Sequence, residues 1–142
     1  MKKLIVACVL SSITLSAVAA EVDNRQKLVL NAEQRNLVLN EMRMMLAGTQ
    51  GIVAALSQND MDAVAKQART LGMSMGREAG GHLHSVLPME FKQLGMSSHQ
   101  DFDAIAMDAE SLKDPKHTLQ QLGDAMNKCI ACHSVYQISS TK

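Results

Sequence analysis

Apolar residues recur three and four positions apart along most of this chain, the spacing of one helix face. Four segments follow that rhythm, parted by Gly, Pro and Asn/Asp/Ser punctuation, and no segment alternates convincingly as a strand. The first runs from Ala32 to Ser57, with Val38, Met42, Met45, Thr49, Ile52 and Leu56 inward. Leu39, Leu46 and Val53 widen the stripe by one position. Asn31 is its expected N-cap, and Gln34 is placed to return the bond. The second begins near Asp60 and continues to about Arg77, or as far as Ser85, with Val64, Ala68, Leu71 and Met75 inward. Gly72, Gly76 and Gly80 line one side of it, which predicts a close approach to another helix or to a bound group. Residues 86–98, with Pro88, Gly95 and Ser97-Ser98, read as a loop. A third helix follows from His99 to about Leu112, capped by Ser98. The fourth has Asp114 as N-cap and Pro115 at its first position, where a missing N–H costs nothing. Its stripe steps through Leu119, Leu122, Met126, Cys129, His133 and Tyr136. The predicted fold is all-α, an antiparallel four-helix bundle packed at about 20°.

The first twenty residues follow a different rule. Lys2 and Lys3 precede an apolar run from Leu4 to Leu15, then the small residues Ala17, Ala19 and Ala20. This is the pattern of a secretory signal cleaved after Ala19 or Ala20. Its apolar run is too short for a good membrane span. Ile5-Val6-Ala7-Cys8 resembles a lipoprotein cleavage box, but that cut leaves almost no apolar region. Residues 21–142 then form one domain with one core. Loss of Lys2 and Lys3 tips the balance of 14 Lys and Arg against 14 Asp and Glu slightly acidic. With no Trp, one Tyr and two Phe, and with no basic cluster, nothing points to nucleic acid. The same shortage leaves the core in want of large apolar groups.

Cys129-Ile130-Ala131-Cys132-His133 carries the most specific chemistry. Two thiols at this spacing can add to the two vinyl groups of one haem, and the following histidine is then carried under the iron as its proximal ligand. The motif lies within the fourth helical stripe, so haem is expected between helices near the C-terminal helix. If Cys8 leaves with the signal, the other two cysteines have no further partner for a disulfide framework.

The C-terminal attachment motif, Tyr136 three residues after the histidine, and four helical segments behind an export signal resemble the class II c-type cytochromes, the cytochrome c′ family with its low-spin members. The resemblance spans residues 21–142. It implies a periplasmic protein holding one covalent haem c through Cys129 and Cys132, with His133 as proximal iron ligand and Tyr136 packed on the haem. It also implies a side chain of the first helix opposite the histidine. In the low-spin members that group is a methionine and the protein carries electrons; in cytochrome c′ the iron is five-coordinate and binds NO or CO. Met42 is expected as the distal ligand, with Met45 as the second choice and an open iron as the alternative. The resemblance permits a homodimer through the first two helices, and it leaves the redox partners unknown. Gln137 stands where the family often has a basic residue.

The remaining candidates are weaker. His82 and His84 point apart on a helix and lack companions for a metal site. His99 and His117 lie at or near helix starts and are expected in solvent. Lys128 offers a positive charge beside the motif, which a solvated face explains as well. A zinc half-site lacks a second Cys/His pair. The 11 Met could suit Cu(I), but they are spread over core faces rather than gathered in a polar segment. No acid, base and nucleophile fall into a catalytic pattern, so no enzyme is expected.

Overall fold

The computed structural model describes residues 22–141 apart from residue 84. The expected signal segment and His84 lie outside the described residues, as do the surroundings of Gly80 and the side chain of His82. The described chain is mostly helical with a small two-stranded sheet. In order it forms β1 (Gln26–Leu30), α1 (Ala32–Ser57), α2 (Met61–Thr70), α3 (Met73–Leu83), α4 (Met89–Ser111), α5 (Pro115–Val135) and β2 (Tyr136–Ser140).

The helix starts follow their local chemistry. At Asn31 the side-chain oxygen accepts from Gln34 N at 2.9 Å, while Gln34 Oε1 accepts from Asn31 N at 3.0 Å, a complete capping box. Asp60 caps α2 by accepting from Ala63 N, and Asp114 caps α5 by accepting from Lys116 N and His117 N. Asn59 and Lys113 take left-handed φ values of 55° and 54°, which turn the chain sharply between consecutive helices.

Three boundaries differ from the sequence expectation. The second helix breaks at Leu71 and Gly72. There Asp103 Oδ2, thirty residues on, accepts from Met73 N at 3.0 Å and so caps α3 from another helix. A Cβ on Gly72 would lie 1.9 Å from Asp103 Oδ1, so only glycine lets the carboxylate in. The expected loop at 86–98 is largely the first half of α4, which starts directly after Pro88. Ser97 and Ser98 do not cap; both hydroxyls donate back to the Leu94 carbonyl at 3.0 Å inside the helix. The third difference is the sheet. β1 and β2 pair in parallel, Gln26 with Tyr136 through Leu30 with Ser140, and so tie the start of α1 to the end of α5.

Two apolar clusters hold the elements together. One, away from the strands, joins Ile52, Val64, Leu71, Phe102, Ile105 and Leu122. Ala65, Ala68, Ala106, Ala109 and Ala125 are buried in it as well, so close helix approach supplies contact where large side chains are few. The other lies under the strands and joins Leu28, Leu30, Val38, Leu83 and Tyr136. Leu28 and Leu30 point inward while Lys27 and Val29 point out, the period-two burial of a strand.

Candidate functional site

The C-terminal motif sits on the last turns of α5. Buried Thr118, Leu122 and Ala125 define the inward face of that helix. At about 100° per residue, Cys129, Cys132 and Tyr136 continue the same face. On the α4 side, His117 and Gln121 bond Asp108, and Lys128 pairs with Asp101 at 2.5 Å and donates to Ser97 O. Lys128 is therefore tied to α4 rather than free beside the motif. On the opposite flank lie Leu119, Met126 and Ile130, all exposed, with His133 in the same row. The inward stripe is thus turned one notch from the sequence expectation, which placed Leu119, Met126 and His133 inside.

Both thiols are free, Cys129 exposed and Cys132 half-buried. Partial burial pushes both thiols up, so both are held protonated. Tyr136 is buried, and its ring meets Phe91 edge-on with centroids 5.3 Å apart. Arg25 Nη1 donates to the carbonyls of His133 and Tyr136 at 3.1 and 3.4 Å. These bonds fix the backbone where α5 passes into β2.

Of the methionines on α1, Met42 packs into the cluster that contains Cys132 and Tyr136, whereas Met45 packs into the other cluster. Met44 is exposed. The structure thus gathers Met42, Cys132 and Tyr136, and leaves Cys129 and His133 facing solvent. α1 has the same two-sided character as α5. Gly48 abuts Leu71, Gly51 abuts Gln67 and Glu41 reaches His99, so one flank faces α2 and α4. Met42, Leu46 and Val53 fall on the other flank. There Leu46 is 73% exposed, and on α5 Ile130 is 64% exposed. α1 and α5 touch each other only sparsely.

His99 departs from expectation. It lies inside α4, 4% exposed. Its Nδ1 donates to the Leu71 carbonyl at 2.6 Å, and its Nε2 donates to Glu41 Oε1 at 3.0 Å. Burial alone would lower its pKa, but the bonds to Glu41 and to the Leu71 carbonyl outweigh it and hold the imidazole above its usual value. A Cβ on Gly76 would stand 2.5 Å from His99 Cδ2, so this glycine admits the ring. The expected close approach of the glycine row is met at Gly72 and Gly76 by side chains of α4. Nothing in the local sequence marked His99 as buried; its spacing of three from Phe102 was the available signal.

Compared with known protein families, curated proteins and solved structures, the chain matches none. Among the described residues, no helix is long and apolar enough to cross a membrane.

Proposed function

We propose that the chain is an exported, periplasmic monohaem c-type cytochrome, a four-helix bundle that transfers single electrons. The observation that carries this is the pair of unpartnered apolar flanks on α1 and α5. Leu46 and Val53 lie on one, next to half-buried Met42, and Met126, Ile130 and His133 lie on the other, beside two free thiols one helical turn apart. Apolar rows of this size on a small domain ask for a cover. A flat, apolar macrocycle between the two helices supplies it and reaches both cysteines. The residues therefore fit a haem c.

Cys129 and Cys132 hold the group through thioether bonds, and His133 is the proximal ligand. Met42 would be the distal ligand, since it packs against the same apolar cluster as Cys132, the cluster that contains Tyr136. When bound, the haem supplies one-electron exchange between Fe(III) and Fe(II), and a thioether ligand favours the reduced state. Tyr136, held by Phe91, provides an apolar wall near the motif. The parallel strands and Arg25 hold the end of α5 against the start of α1, which limits rearrangement of the two ligand-bearing helices between oxidation states.

The test is an optical spectrum of the exported protein, oxidised and reduced, with and without CO. A sharp low-spin reduced spectrum, a weak far-red methionine–iron(III) band and indifference to CO are expected. A broad spectrum that shifts with CO would instead establish an open iron and a gas-binding role. A colourless protein overturns the haem assignment.

A further inference from the structure

α2 and α3 follow each other with only Leu71 and Gly72 between, and side chains of α4 hold the break. His99 and Asp103 stand four residues apart on α4, so they project from one face. His99 Nδ1 donates to the carbonyl of Leu71, the C-cap of α2, at 2.6 Å. Asp103 Oδ2 accepts from Met73 N, the first amide of α3, at 3.0 Å. Both are backbone groups of the kind that a helix end leaves without an internal partner. The charges also suit the helix dipoles, an imidazolium at the carbonyl end of α2 and a carboxylate at the amide end of α3. Gly72 lies between them, and its missing side chain is the room that Asp103 fills.

One half of this joint depends on a proton. Nε2 of His99 donates to Glu41 of α1 while Nδ1 serves Leu71. A neutral imidazole has a single N–H for these two acceptors. The carboxylate is the stronger acceptor and keeps it, so the Leu71 carbonyl then faces a ring lone pair. Around the ring, Glu41 of α1 and Asp103 of α4 favour the imidazolium. From α3 the ring meets Gly76, and Arg77 of α3 and Lys92 of α4 share the cavity beside it.

That cavity, of about 410 Å³, shows which helix can move. α2 is locked into the core by Val64, Ala65 and Ala68. α3 borders empty volume instead, with Gly76, Arg77, Gly81 and Leu83 on the cavity wall. We propose that the Leu71–Gly72 joint is a proton-operated hinge: it is closed while His99 holds both Glu41 and Leu71, and loss of one ring proton lets α3 swing away from α4 and open the cavity. Leu83 and Phe91 line the cavity and also belong to the cluster against which Met42 and Cys132 pack, so the hinge opens toward the residues of the C-terminal motif. The inference stands on the bonds of His99 and Asp103 and does not require the haem.

The closed joint raises the His99 pKa, so the closed state binds the proton more tightly than the open one. The joint is therefore firm below about pH 6.5, the free value, and loosens as pH rises through the raised value. Within that window opening becomes easier by up to about tenfold per pH unit.

Amide exchange of the exported protein from about pH 6 to about pH 9, corrected for the intrinsic rate at each pH, tests this. Protection of residues 73–83 should fall with that slope, while residues 61–68 and 115–130 keep theirs. His99→Gln, which does not titrate, should abolish the slope in α3. Protection of α3 indifferent to pH in the native protein overturns the hinge, and this arm needs no variant. A loss shared equally by all helices overturns it as well, because it would be global loosening. A slope in α3 that survives in His99→Gln overturns it too. Each outcome can be read whether the protein is coloured or colourless, so failure of the hinge and failure of the haem assignment are separate results.

Discussion

Glu41 and His99 meet across the interior at 3.0 Å, joining α1 to α4 where no other charged pair is so deeply enclosed among the described residues. The imidazole must donate from both nitrogens, because a carbonyl and a carboxylate only accept. It is therefore the charged form that this site stabilises. Glu41 from α1 and Asp103 from α4 favour that charge; from α3 the ring meets Gly76, and Arg77 and Lys92 share its cavity. The folded pKa is raised above the unfolded value of about 6.5. The stabilisation is thus complete below about pH 6.5 and is lost as pH climbs through the raised folded value. The melting temperature of the native protein should fall on the alkaline side of that window, and His99→Gln should flatten the slope. Glu41→Ala should cost about 3 kcal/mol in denaturant unfolding, since it leaves a buried imidazolium unpaired. A slope unchanged in His99→Gln would show that another group governs the pH dependence.

Gly76 and Gly95 should respond oppositely to the same substitution. At Gly76 a methyl group lands 2.5 Å from the His99 ring, which the bonds to Leu71 and Glu41 keep from moving aside. Gly76→Ala should destabilise by about 1–3 kcal/mol. Gly95→Ala meets open space within a helix and should stabilise by about 0.5–1 kcal/mol. Thermal or urea unfolding of the two variants decides the matter; a loss at Gly95 would show that its backbone freedom is needed.

What could be read in advance was local. The capping box of Asn31 with Gln34, and Asp114 followed by Pro115, announce α1 and α5 because donor and acceptor lie within four residues. The spacing of Cys129, Cys132 and His133 was equally plain. The break before α3 was hidden because its cap, Asp103, is remote in sequence. The start of α4 was hidden because Ser97 and Ser98 look like caps yet bond backward. The face of α5 was misjudged by one notch because Leu119 and Met126 are as apolar as the buried residues beside them. No local pattern distinguishes a core stripe from a stripe that awaits a partner.

The strand pair is another long-range feature, and it yields a direct test. A two-stranded sheet is marginal by itself. Here Leu28 and Leu30 anchor β1 against Val38, Leu83 and Tyr136. Leu30→Ala should cost about 2–4 kcal/mol through the cavity it leaves. Amide exchange should then accelerate together over residues 26–30 and 136–140, since the two strands are each other's partner in the sheet. Protection retained at 136–140 would mean that β2 is held without β1.

The two methionines of α1 separate the electron-carrying reading from its rivals. Met42 and Met45 are three residues apart and both half-buried, so composition and burial treat them alike. Their surroundings do not. Met42 shares a cluster with Cys132, Tyr136 and Phe91 at the strand end, and Met45 packs with the core residues of the other cluster. In the proposed cytochrome, the ligand opposite His133 would come from the part of α1 whose side chains pack with the motif's cluster, where Met42 lies. Met42→Ala should therefore turn a six-coordinate haem into a five-coordinate one that binds CO. Met45→Ala should leave the spectrum unchanged and lower stability by about 2–4 kcal/mol, as expected for a truncated core side chain. The reverse spectral pattern would move the ligand to Met45. If both variants keep the native spectrum and the native protein already binds CO, the iron is open and the protein is a gas binder.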